Sequence, residues 1–526
     1  MSKVSIHVPS ENHSGTFPVD PSFLKGKRNP TQSEIEILQH NDNRCSDPQW
    51  KTVFVSEAFD PYLIHDTEFY GTVVIGALRK ATLKYHDLEL ETGIVNSYID
   101  SCVFGDDVCI RNVSYLQNYT IGSRVMIFNV QEMSCTLHSK FGNGILKEGE
   151  PEENRIWIGV GNENGGRDIL PFESMIPADA YIWSRYRDDK ELMKKFIDIT
   201  ENGHSRKNNT CGIVGDNVVI KNTSLIKDVK IGPCAYIKGA FKLKNITICS
   251  SEEESSQIGE GVEMVNGIMG YGSKAFYQSV AVRFVIGRNC QLKYGARLLN
   301  SVLGDNSTVS CCELLNNLIF PFHEQHHNTS FLIASTVKGQ SNIAAGATIG
   351  SNHNSRSPDG EIYAGRGFWP GLCSDFKHNS KFASFTLISK GSYQYELNIT
   401  YPFSLVSRSS EEEGITIMPA YWFMYNMFAM ARNNSKFKNR DIRVVKVQNI
   451  ETDPLAPDTM QEVLCALDRI IHLTENWLMS NDLNYTQATG NMYQKAKDFL
   501  HQNPDADLTF VDPLCMKKFG AKIVKP

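Results

Sequence analysis

"VFGDDVCIRNVSYLQNYTIG" at residues 103–122 and "IVGDNVVIKNTSLIKDVKIG" at 213–232 are two versions of one phrase. Aligned end to end, they share Gly105/Gly215, Asp106/Asp216, Val108/Val218, Ile110/Ile220, Asn112/Asn222 and Ser114/Ser224, and both close on Ile-Gly. Within each copy the apolar-Gly pairs lie 17 residues apart, as do Gly287 and Gly304 further on. A fixed short period predicts stacked coils, because each repeat can bury its apolar face only against its neighbours. Alternation such as "VCIRNV" and "VVIKNT" suits short strands with one face inward, with glycine or a small polar residue at the corners. The predicted class is therefore mainly β, a parallel β-helix over 66–405, preceded by an N-terminal segment, 1–65.

Two stretches break the pattern. "MIPADAYIWSRYRDDKELMKKFIDIT" (175–200) has apolar residues at helical spacing and predicts a helical excursion. The preceding "GVGNENGGRD" invites comparison with phosphate-cradling loops, but its glycines fit neither GxGxxG nor a P-loop, so it is read as a lead-in to the helix. From 406 to 526 the chain turns to helical spacing, as in "DTMQEVLCALDRIIHLTENWL" (458–478), which predicts a C-terminal helical region. "SSEEESSQ" (250–257) reads as an exposed loop.

The chain has 526 residues, 41% of them hydrophobic, and a net charge of -6. That composition supports a large core and argues against a polyanion-coating protein, so no nucleic-acid partner is expected. No apolar run is long enough to span a bilayer and the N-terminus lacks an apolar signal core, so a membrane partner is not expected either. Thirteen scattered cysteines without a CxxC pair read as reduced thiols in a cytoplasmic protein.

Chemistry concentrates late in the coils. Five of the 14 histidines (His323, His326, His327, His353 and His378) fall between 323 and 378, where even spreading would put about 1.5. Histidine titrates near neutrality and can act as acid, base or ligand. His353 and His378, each followed by Asn-Ser, are the candidate general bases. Asn352, Arg356, Asp359, Glu361, Arg366, Trp369 and Lys377 are the candidate substrate-binding residues, with the cations suited to phosphate or carboxylate. His323, His326 and His327 have spacing that could hold a divalent metal. A structural role competes in each case: the cations can pair with Asp359, Glu361 and Asp375, and a lone corner histidine can bond the next coil.

"GSNHNSRSPDGEIYAGRGFWPGL" (350–372), "KHNSKFASFTLISKG" (377–391), "PFSLV" (402–406) and "MPAYWFMYNMFAMARN" (418–433) resemble a bacterial family of long hexapeptide-repeat proteins catalogued as a domain of unknown function. The resemblance covers nearly the whole chain and implies a left-handed parallel β-helix with a C-terminal helical region. It supplies no established activity. Members of the family often run longer, and the abrupt "FGAKIVKP" is compatible with a further C-terminal piece. Similarity to hexapeptide-repeat enzymes in the coils alone implies acyl or related group transfer to a sugar or nucleotide-sugar, with acyl-CoA as donor and a trimer as the expected oligomer. The alternatives are a metal-dependent hydratase or lyase, and a solenoid that binds a carbohydrate or partner without catalysis.

Overall fold

The structure is a computed structural model that describes residues 19–207, 210–350, 360–409, 414–481, 491–516 and 521–524. The repeat folds as a parallel β-solenoid of about 20 turns, with a helical insertion and helices at the C-terminus. The chain divides into two compact units. The first comprises 1–156, 171–173 and 198–278, and the second 157–170, 174–197 and 279–526.

In the first unit one interior column is isoleucine over six consecutive turns, with Ala275 next. Ile94, Ile110, Ile127, Ile220, Ile237 and Ile258 pair in consecutive parallel register, and none exceeds 1% exposure. Each buried side chain of this kind contributes roughly 1.5–3 kcal/mol, and the β-branched shape suits the pleat. The two aligned phrases lie two turns apart: Val103 pairs with Thr120, which pairs with Ile213. Register passes directly from Met126 to Val219, so the long intervening segment leaves the stack undisturbed.

The shared asparagine of the phrase also has a cause. Asn96, Asn112, Asn129, Asn222, Asn245 and Asn266 all have positive φ, a conformation asparagine tolerates better than most side chains. Their amides bond pairwise between turns, Asn96 Nδ2 to Asn112 Oδ1 at 3.0 Å, and Asn129 to Asn222 and Asn245 to Asn266 at 2.9 Å each. One residue type thus turns the corner and ties it to the next. "SSEEESSQ" is a loop with Glu252 and Glu253 exposed, but Ser250, Glu254 and Ser256 are buried, and Ser256 Oγ donates to the Cys249 carbonyl at 2.7 Å.

In the second unit the interior column changes character along the chain. Ala281, Leu298, Leu314, Leu332, Ile349, Phe376 and Tyr393 stack in register, all buried, and the last two rings stack with centroids 5.2 Å apart. The 175–200 segment of the sequence forms two helices, Pro177–Arg185 and Lys190–Asn202, rather than one. Beyond the coils, strand Leu405–Arg408 pairs antiparallel with Ile415–Met418, which pairs onward with Ala521–Ile523. Helices Met427–Arg440, Pro457–Asn481 and Met492–Gln502 follow. A buried Asp512 ties helix Pro457–Asn481 to the last coils, accepting from Arg469 at 2.6 and 3.1 Å and from the Tyr401 hydroxyl at 2.7 Å. Among the described residues no helix is long and apolar enough to cross a membrane.

Candidate functional site

A polar cavity of about 570 Å³ opens in the second unit, lined by two far-separated parts of the chain. The first part is the insertion. Its short hairpin, Ile158–Gly159 with Asp168–Ile169, is held on a solenoid corner by Asn316, whose Nδ2 donates to the Gly159 carbonyl and whose own carbonyl accepts from Gly161 N, both at 2.8 Å. This anchor presents Asn162, Asn164 and Arg167 to the cavity, and the end of helix Pro177–Arg185 adds Arg185. The second part comes from consecutive turns: Gly360, Glu361 and Tyr363 from one, Asn379 and Lys381 from the next.

Glu361 is the hub. One carboxylate oxygen takes Arg167 and the other takes Arg185, which also donates to Thr336 Oγ1 at 2.9 Å. The Arg185 guanidinium lies 5.5 Å from the centre of the Tyr363 ring, a cation–π contact. Burial pushes the Tyr363 phenol up, while its hydrogen bond with Tyr181 and the nearby Arg185 act in the opposite direction. Among the described residues three cations face one carboxylate, an excess of two positive charges in the lining. Three asparagine side chains beside them offer both donors and acceptors.

His378, 1% exposed, directly precedes Asn379 of the cavity lining. Two glycines lie close to the His378-Asn379 pair. A Cβ on Gly350, at φ +83°, would meet the Ile333 carbonyl at 2.0 Å and the His378 Nε2 at 3.0 Å, and a Cβ on Gly360 would fall 1.9 Å from Asn379 Oδ1. The His378-Asn379 pair therefore packs against both ends of the segment that carries His353. Asn352, His353, Arg356 and Asp359 themselves lie outside the described residues.

The other sequence candidates go elsewhere. Arg366 is a fastening for the C-terminal region, reaching Asp458 through two nitrogens at 2.8 and 2.9 Å, Gln340 Oε1 at 2.9 Å and the Asp453 carbonyl at 3.0 Å. Trp369 packs beside Trp422, ring centres 5.9 Å apart, in an aromatic cluster with Phe385 and Phe403. Lys377 pairs with Glu396 at 3.2 Å. His323 is fully buried, its Nε2 donating to Gln325 Oε1 at 3.2 Å and its Nδ1 accepting from Ser341 Oγ at 2.8 Å. Burial lowers its pKa to about 4. His326 lies 3.5 Å from Glu324, with burial and then Lys436 pushing its pKa down, while His327 is exposed. Among the described residues no three His, Cys, Asp or Glu side chains are grouped to hold a metal ion.

Arg167, Arg185, Tyr363 and Lys381 were not singled out by sequence reasoning. The signal available for the first two was the glycine-rich "GVGNENGGRD" with its adjoining helix, which is not a phosphate loop by spacing yet delivers an arginine to the same cavity.

A protein of Treponema pallidum (strain Nichols), described as "Uncharacterized protein", is 51% identical over 437 residues, or 83% of this chain. The match spans 60% of that relative's own length. The sequence profile of a domain of unknown function, DUF4954, matches residues 28–474, and the chain belongs to that family.

Proposed function

We propose that the protein transfers an acyl or related group to a sugar or nucleotide-sugar held in the Arg167–Arg185–Glu361–Lys381 cavity. The observation that carries this reading is the excess of two positive charges set among three asparagine amides in one open space. A diphosphate or sugar carboxylate suits the cations, and ring hydroxyls suit the amides. Glu361 holds the two guanidinium groups ready, and an arriving anion shares them.

The base in this scheme is His353 or His378. The imidazole takes the proton of an acceptor hydroxyl or amine as that atom bonds to the donor's acyl carbonyl carbon. The thioester C–S bond breaks, and the proton returns to the departing thiolate of the acyl-CoA. In the same proposal the solenoid is of the left-handed hexapeptide type. Turn lengths support it: Ile110 pairs with Ile127, Val302 with Leu318 and Glu324 with Asn342, offsets of 17, 16 and 18 residues, close to three six-residue rungs.

The test is product formation from UDP-glucose and a panel of acyl-CoAs. A positioned base contributes about 10²–10⁴-fold. His353→Ala or His378→Ala is expected to lower turnover by that factor with UDP-glucose affinity retained, and full turnover in both refutes the assignment of the base. Binding of UDP-glucose with no product from any donor refutes the transfer step.

A further inference from the structure

A second cavity of about 590 Å³ is lined in part by Tyr181, from the same helix that gives Arg185 to the polar cavity, and its lining differs in kind. One wall is apolar, formed by Tyr181, Ile182, Phe320 and Pro321. Ile182 is 40% exposed there, an aliphatic side chain left at the mouth rather than packed. Lys338, Gln340, Gln448 and Asn449 supply the neutral-polar and cationic lining, with Lys338 as its cation not bonded to Asp458. Arg366 is bonded to Asp458, and one Glu451 oxygen accepts from the backbone of Asp453 at 2.7 Å. The volume falls within the range of about 300–1,000 Å³ typical of small-ligand pockets.

We propose that this second cavity binds an aliphatic acyl group, its chain against Tyr181, Ile182 and Phe320 and its carbonyl or carboxylate oxygens toward Lys338. Tyr181 lines this cavity and Arg185, one helical turn on, lines the polar one; Tyr181 meets Tyr363 of the polar cavity, over whose ring Lys338 Nζ sits at 5.5 Å. An acyl group here lies next to a ligand in the polar cavity. Its role as the transferred group rests on the function proposed above, whereas its binding does not.

Calorimetric titration with decanoate and with decanoyl-CoA, both below their micellar concentrations, tests the inference. Saturable binding of either supports it: decanoate identifies a free carboxylate as sufficient, and binding of decanoyl-CoA alone identifies the thioester as the occupant. Lys338→Ala and Ile182→Asp are each expected to weaken binding at least about tenfold, the second by placing a charge against the chain. Lys381→Ala, in the polar cavity, is expected to leave it unchanged. Absence of binding by the unmodified protein, or equal binding by Ile182→Asp, overturns the inference. If UDP-glucose still binds in that case, the failure belongs to the acyl site alone.

Discussion

Acidification is expected to loosen the turn that contains His323 before the carboxylates of the solenoid titrate. The imidazole is fully buried, and its neutral form is fixed by donation to Gln325 and acceptance from Ser341. Its pKa is about 4 in the fold, against 6.5 for a solvated histidine. The opened turn therefore binds a proton over a pH range in which the folded turn does not, and stability falls as pH drops from 6.5 toward 4. At 1.36 kcal/mol per pKa unit the full loss is on the order of 3 kcal/mol, of which about 2 kcal/mol is reached by pH 5. Hydrogen exchange reads this locally, because the amide of Thr308 is bonded to the His323 carbonyl and that of Glu324 to the Ser341 carbonyl. After correction for intrinsic exchange, the opening free energy of those amides is expected to drop by about 2 kcal/mol more in the unmodified protein than in His323→Gln between pH 7 and 5. Parallel pH dependence in the two proteins, or an imidazole titrating near 6.5, refutes the reasoning.

Arg366→Ala is expected to cost about 2–3 kcal/mol, less than the roughly 3–5 kcal/mol for breaking a fully buried pair, because Asp458 is 41% exposed. Faster exchange confined to residues 451–462 is the measurement that checks it. Gly142→Ala is expected to destabilise by about 3 kcal/mol, since its φ is +85° and a Cβ would lie 2.2 Å from the Gly267 carbonyl oxygen. Gly26→Ala, at φ +72° with open space around it, has only the backbone term of about 1 kcal/mol, and thermal unfolding of the two variants should separate them.

The fold was legible in the sequence because a solenoid writes its stacking into its period: the isoleucine column and the asparagine corners occupy the positions at which the 103–122 and 213–232 phrases coincide. The site was legible only in part. Glu361 was chosen as a binding residue, but its two arginine partners lie 194 and 176 residues earlier, and no local pattern announces a contact across that distance. Arg366 and Trp369 looked like site residues because charge and aromatics stood beside glycine and proline. Their partners, Asp458 and Trp422, belong to the C-terminal region, whose docking no local repeat records. His323 added to the histidine excess, yet it serves the interior, where Gln325 and Ser341 satisfy both nitrogens.

The cationic cavity is the central claim, and calorimetric titration of UDP-glucose into the unmodified protein, Lys381→Ala and Glu361→Gln tests it most directly. Loss of one charge-assisted hydrogen bond is worth about 1.5 kcal/mol or more, so Lys381→Ala should bind at least about tenfold more weakly. Glu361→Gln, which frees Arg167 and Arg185 from their carboxylate, should bind more tightly. No saturable heat from the unmodified protein, or identical affinity in all three, contradicts the account.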